Sequence, residues 1–247
     1  MEFIDLHIHL QDYTSDSATE IVKKAQKSGL KKMVCAATSC DDWQKVADFA
    51  LQYSDLVIPA FGVHPWQAAK VRPDWALTIE PYLQQYPQSL IGETGLDGLK
   101  PDMDLQRQYF LAHINLAKKY NRPLEIHAVK AVNLLSEYLP LMPSKFMIHS
   151  FNGRPEHLHE ILHYGGYVSF CASILKNRDI EKIVCSTPSD KILLESDGPY
   201  QALIKGEQSI PFFIPELISK IAAIRGENSE NFSRQVYQNS LTFIAAD

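Results

Sequence analysis

Glycine is missing at the place where a dinucleotide-binding sheet needs it. After the first strand-like stretch the chain reads His9-Leu10-Gln11-Asp12. No glycine there lets a phosphate approach the backbone, which argues against an open doubly wound sheet. Basic charge is also scarce. Lys and Arg number 24 against 29 Asp and Glu, for a net charge of −5. Bulk electrostatic binding of nucleic acid is therefore not expected. A phosphodiester substrate stays open, because bound cations can supply positive charge locally. The cysteines Cys35, Cys40, Cys171 and Cys185 form no Cys-x-x-Cys pair. That excludes a zinc knuckle or a redox dithiol and fits a reducing, cytoplasmic compartment. No apolar run approaches ~18 residues, so no membrane span is expected. The N-terminal residues carry no basic region, apolar run and cleavage site, so no signal peptide is expected. Low-complexity tracts and Gly/Ser linkers are absent as well.

What is present is a chain of 247 residues, 45% hydrophobic and 21% charged, enough for a sizeable core. Strand-like and helix-like stretches alternate from end to end. Strands are expected at Phe3–His9, Lys32–Ala37, Val57–Val63, Ser89–Glu93, Pro123–His127, Lys145–His149, Tyr167–Phe170 and Lys191–Glu195. Helices are expected between them at Thr19–Ser28, Asp41–Tyr53, Asp74–Tyr86, Asp104–Tyr120, Lys130–Tyr138, Arg154–Tyr164 and Asp179–Cys185, then Pro211–Arg225 and Glu230–Ala245. Eight strand–helix units plus one extra C-terminal helix predict an α/β fold. It is a (β/α)8 TIM barrel occupying residues 1–247 as a single domain.

The polar residues fall at the strand ends. In Phe3-Ile4-Asp5-Leu6-His7-Ile8-His9-Leu10, residues two apart share a side, which places Asp5, His7 and His9 together. The third strand runs into Gly62-Val63-His64-Pro65, the fourth ends at Glu93, the fifth at His127, the sixth at His149 and the eighth at Asp197. Barrel active sites are built at the C-terminal mouth from different strand ends. Four imidazoles and two carboxylates therefore converge on one place, as metal ligands do. Six ligands exceed what one open zinc-type site takes and suit two ions. His7, His9, Glu93 and Asp197 are assigned to one, and Glu93, His127 and His149 to the other, with Glu93 as the bridge. Imidazole and carboxylate donors suit Zn, Mn, Fe or Co, and Mg less well.

These motifs resemble the TatD-type metal-dependent deoxyribonuclease family of the amidohydrolase superfamily. The resemblance runs through Asp5-Leu6-His7-Ile8-His9, Gly62-Val63-His64-Pro65 and Gly92-Glu93-Thr94-Gly95-Leu96-Asp97. It continues through Ile126-His127, His149-Ser150-Phe151-Asn152-Gly153 and Glu195-Ser196-Asp197-Gly198-Pro199. It implies a TIM barrel, a site for two divalent metals and hydrolysis of DNA phosphodiesters, often from the 3′ end. Two positions depart from the family pattern. Val129 stands where the family usually has a phosphate-clamping Arg, and Gly98 where it often has an aromatic. Lys130 can bind a phosphate only as a point charge.

The expected mechanism is in-line attack by a hydroxide bridging two metals about 3.5–4 Å apart. Asp197 is expected as general base beside the bridging Glu93, and His64 as a contact to the substrate or leaving oxygen. Asp5 and Asp97 are expected to orient ligand imidazoles from behind. Glu195 is expected at most behind the ligands, and Glu125 in a plain salt bridge. Lys130 and Arg154, with Lys176, are expected to face phosphate. Trp66, with Phe151 and Tyr200, is expected to stack a base. The expected partner is a DNA 3′ end or a small phosphoester, without an obligate protein partner, the chain acting as a monomer. Two rival readings accompany this one: a hydrolase of a small ester, lactone or amide on the same scaffold, and a barrel that binds metal without catalysis.

Overall fold

A computed structural model describes residues 1–245. Eight parallel strands lie side by side in chain order. They are β1 (Phe3–Ile8), β2 (Leu30–Ala36), β3 (Val57–Phe61), β4 (Leu90–Asp97), β5 (Leu124–Val129), β6 (Phe146–Ile148), β7 (Tyr167–Phe170) and β8 (Ile192–Leu194). The helices are α1 (Ser15–Lys27), α2 (Trp43–Gln52), α3 (Trp75–Gln85), α4 (Met103–Tyr120), α5 (Pro155–His163), α6 (Ile180–Ser186), α7 (Ile214–Arg225) and α8 (Ser229–Ile244). The ring closes just beyond β8. Ile8 bridges Gly198, the Asp197 N–H donates to the His7 carbonyl at 2.9 Å, and the His9 N–H donates to the Gly198 carbonyl at 2.8 Å. This is the expected (β/α)8 barrel.

Two apolar layers hold it. The larger packs helices against the outside of the sheet and includes Met33, Cys35, Phe61, Leu124 and Ile126. The smaller unites Ile4, Leu6, Val34, Ala36, Ile58, Ala60, Leu90, Met147 and Leu193. Residues from six strands can meet only inside the ring. Ile4, Ile58 and Leu90 come from the first two residues of their strands, and Phe243 of α8 joins them. The N-terminal end of the barrel is therefore a plugged apolar floor, as barrels of this type require.

Local details differ from expectation: β4 runs on to Asp97, four residues past Glu93, α7 starts at Ile214 rather than Pro211, and three further differences have a clear physical reason. α1 starts at Ser15, four residues early, because Thr14 caps it by accepting from the Ser17 N–H. The helix expected at Lys130–Tyr138 is instead two 3₁₀ turns, Val132–Glu137 and Leu139–Leu141. Val132, Asn133 and Ser136 are modest helix formers. Pro140 also bars an α-helix from running on through it. The third difference is in β1. Asp5 pairs with Met33 and Ile8 with Cys35, three steps against two. That is a β-bulge, and it breaks strict alternation.

Candidate metal centre

Strand parity brings most of the expected residues to the mouth. On β5, Leu124 and Ile126 face the helices, so Glu125 and His127 point inward. On β6, Met147 belongs to the inner floor and His149 lies two residues beyond it. On β1 the bulge lets Leu6 join the floor while His7 still enters the mouth. Gly95 has φ 141°, and a Cβ there would collide with the His127 carbonyl oxygen. Glycine is thus required for β4 to lie against β5 beside His127. Asp197 sits in the left-handed region at φ 51°, a conformation a non-glycine residue keeps only where its surroundings fix it.

Glu93 lies at the middle, and its two oxygens face different groups. Oε2 is 3.6 Å from His7 Nε2 and 3.5 Å from His9 Nε2. Asp197 Oδ1 completes that side at 3.7 Å from His7 Nε2 and 3.8 Å from His9 Nε2. Oε1 is 2.8 Å from His127 Nδ1, 2.9 Å from His149 Nε2 and 3.2 Å from His64 Nε2. All these side chains are buried.

The donor chemistry fits cations. His9 Nδ1 is 2.9 Å from the Ala36 carbonyl and His7 Nδ1 is 2.6 Å from Glu125 Oε1. Each Nδ1 therefore carries the proton, and each Nε2 is left as a lone pair. Those two Nε2 atoms are only 3.0 Å apart. A cation held between them would relieve that approach. Burial pushes the His7 imidazole well below its ordinary pKa, which keeps it a neutral ligand. Burial alone would raise the Glu93 carboxyl, but His64, His149 and His127 more than offset it and hold it well below its ordinary range. For His149, burial works against charge, yet Glu93 and Glu195 draw a proton onto it and hold it well above its ordinary value. The carboxylate charge that draws this proton is charge a bound cation would offset.

His64 also lies within ligand distance of Glu93 and His127. Its protonation speaks for another role. Nδ1 accepts the Trp66 backbone N–H at 3.1 Å, so in the neutral ring Nε2 carries the proton and donates to Glu93. His64 is a donor aimed into the mouth.

The expected supporting residues divide. Asp97 Oδ2 lies 3.4 Å from His127 Nε2 and accepts the Trp66 Nε1–H, so it orients an imidazole as expected. Asp5 does not. It accepts from the backbone N–H of His7 and from the N–H and hydroxyl of Ser196. The bulge separates it from the ring of His7, and its work is to join β1 to the end of β8. Burial pushes its carboxyl up to about 7 despite the Ser196 bonds. Glu125, expected in a plain salt bridge, instead holds His7. Glu195 accepts from the Ser150 N–H and the Ser169 hydroxyl. It stands 3.4 Å from His149 Nδ1, without hydrogen-bond alignment. For Glu125 the signal was its parity with His127; its partner across the ring had none.

A cavity of about 950 Å³ opens above the cluster, and His9, His64, Glu93, His127, His149 and Asp197 line its base. Trp66, Lys130, Arg154 and Tyr200 line it higher up. Lys100 covers one face of Trp66, 4.1 Å from the ring centroid, so one face stays available. Ala128, Val129 and Val132 form an apolar wall, and His157, which sequence reasoning missed, lines it too. Phe151 is buried and absent from the lining, and the Lys176 ammonium donates to the Ala202 carbonyl.

Known proteins resemble this chain. Deoxyribonuclease TATDN3 of Homo sapiens is 29% identical over 96% of this chain and 93% of its own length. The 3′-5′ ssDNA/RNA exonuclease TatD of Pantoea ananatis is 27% identical over 96% of both. The crystal structure of the TatD homologue YjjV from Escherichia coli superposes with a TM-score of 0.90 at 22% identity. It covers 98% of this chain and 97% of that one, a likeness of fold. The family model for TatD related DNase matches residues 4–245, so the chain belongs to the TatD related DNase family.

Proposed function

We propose that this chain is a hydrolase of DNA phosphodiester bonds that works from a 3′ end with two divalent metal ions. The observation that carries it is Glu93, whose two carboxylate oxygens each face a separate set of imidazoles at the base of an open cavity. His7, His9 and Asp197 with Glu93 would hold the first ion. His127 and His149 with Glu93 would hold the second. Zn, Mn, Co and Fe suit these donors best, and Mg less well. Divalent ions, when bound, acidify water and offset charge developing on a phosphoryl group.

The chain's own groups do the rest. Asp197 accepts the proton of the attacking water. His64 Nε2–H donates to a phosphoryl or leaving oxygen. Lys130 and Arg154 hold phosphates along the cavity wall, and the free face of Trp66 stacks a base. Asp97 ties these parts together, since it touches both His127 and Trp66. The described residues 1–245 serve as one unit, acting as a monomer. Free cysteines throughout fit a cytoplasmic setting. Among the described residues no helix is long and apolar enough to cross a membrane.

A second reading draws on the apolar wall of Ala128, Val129 and Val132, where a phosphate clamp is expected: a small ester, lactone or amide as substrate. One experiment separates the two. The protein is stripped and reloaded with Mg, Mn, Zn or Co, then given a single-stranded oligonucleotide labelled at its 5′ end. A ladder shortening from the 3′ end, absent in His127→Ala and Asp197→Asn, is expected. Intact oligonucleotide beside hydrolysed lactone or amide would establish the second reading.

A further inference from the structure

One acidic side chain inside the barrel is not explained by metal ligation, substrate binding or the fold. Glu125 is fully buried on β5. Its Oε1 lies 2.6 Å from His7 Nδ1, and both side chains are inaccessible to solvent. Its Oε2 has no hydrogen-bond partner at all. A buried carboxylate with an orphaned oxygen costs stability. An apolar residue of similar volume would fill a barrel interior more cheaply. The surroundings nevertheless make room for the acid. Gly92 on the neighbouring strand lies against it, and a Cβ there would fall 2.7 Å from Glu125 Cβ and 3.1 Å from Oε2. Gly92 also has φ 153°, so any other residue would be strained as well as crowded.

The ring that Glu125 grips has a special place. His7, like Glu93, belongs to two of the ligand groups, one with His9 and Asp197 and one with Glu93 and His149. An imidazole in that position must present Nε2 as a lone pair and keep its plane fixed. A carboxyl oxygen accepting the Nδ1–H does both.

We propose that Glu125 is the positioning residue of the centre, fixing the tautomer and orientation of His7 from beneath the metal-binding face. The proposal rests on the metal reading above for its consequence, though not for the hydrogen bond itself. It assigns Glu125 no contact with substrate.

The test uses the full chain with two substitutions, Glu125→Leu and Glu125→Gln. Leu removes the acceptor; Gln keeps an oxygen for the Nδ1–H but loses the charge. Imidazole ¹H–¹⁵N spectra of the metal-free protein report tautomers, with His7 assigned by its disappearance in His7→Gln. The wild type is expected to show His7 in the Nδ1–H form with a strongly hydrogen-bonded proton. Glu125→Gln keeps that form, and Glu125→Leu loses it. Calorimetric titration with manganese is expected to weaken by about 10-fold in Glu125→Gln and toward about 100-fold in Glu125→Leu, the range seen when such supporting partners are removed. Wild-type affinity in both variants, with the His7 tautomer unchanged, would overturn the proposal. Should Glu125→Leu fail to fold, wild-type affinity in Glu125→Gln alone overturns it. A wild type that binds neither manganese nor zinc would sink the metal reading, while the tautomer spectra would still decide the role of Glu125.

Discussion

The two ends of the barrel interior are made from the same strands and obey opposite rules. At the floor, Met147 and Leu193 pack with Val34, Ala60 and Leu90 into a dry cluster. Two residues further on, just past the ends of those strands, stand His149 and Glu195, also buried but among charges. The floor lowers the free energy of the fold, and the mouth raises it. At the mouth Glu125 Oε2 and His149 Nδ1 are buried without hydrogen-bond partners, whereas the floor cluster carries no polar side chain; Ser89 Oγ and Arg122 Nε, just before β4 and β5, are buried without partners as well. Polar groups are gathered at one end because a ligand, rather than the protein, completes them.

Substitutions can break this contrast from either side. The largest effect is expected at the mouth. Asp197→Asn should lower oligonucleotide cleavage by about 10²- to 10⁴-fold, the share a positioned proton acceptor supplies. Its circular dichroism and its melting temperature should stay at or above those of the wild type. At the floor the pattern should reverse. Leu193→Ala should cost about 2–5 kcal/mol in denaturant unfolding, while activity per folded molecule and bound metal stay near wild type.

A histidine far from the mouth sharpens the comparison. His113 of α4 stacks on Trp75, accepts the Val63 N–H at 3.0 Å and donates from Nδ1 to the Tyr109 carbonyl at 2.7 Å. Burial pushes its pKa down to about 4. An unfolded imidazole takes its proton near 6.5. Between those values the unfolded chain binds more protons, so the stability tied to His113 is complete above the unfolded value and is lost as pH falls toward 4. The loss is about 3 kcal/mol. Urea unfolding at pH 7 and pH 4 should show that much less pH dependence in His113→Gln.

The smallest effect belongs to the cavity rim. Lys130→Ala and Arg154→Ala should each flatten the slope of log kcat/KM against log salt by about 0.7, the contribution of one phosphate contact on a single strand. Unchanged slopes in both would move the phosphates elsewhere.

The barrel was legible because its signals are periodic. Each strand has a hydrophobic run and each helix an amphipathic one, and eight repeats reinforce one another. The convergence of His7, His9, Glu93, His127, His149 and Asp197 followed from their place at strand ends, since a closed parallel barrel brings those ends together. What escaped was non-periodic or non-local. A bulge adds one residue to β1 with no compositional mark, so Asp5 was put on the wrong side. The stretch after β5 has helical spacing, yet its propensities and Pro140 make it 3₁₀. The grip of Glu125 on His7 spans 118 positions, and no local pattern encodes such a pairing.

The closure between β1 and the segment after β8 ties chemistry to completeness. His7 and His9 come from the first strand and Asp197 from beyond the last, and backbone bonds join the two only where the ring shuts. On the proposed ligand assignment, a chain still being synthesised, or one whose seam has opened, would hold half of that set at each end. The proposed centre is complete only in a molecule whose ring has closed.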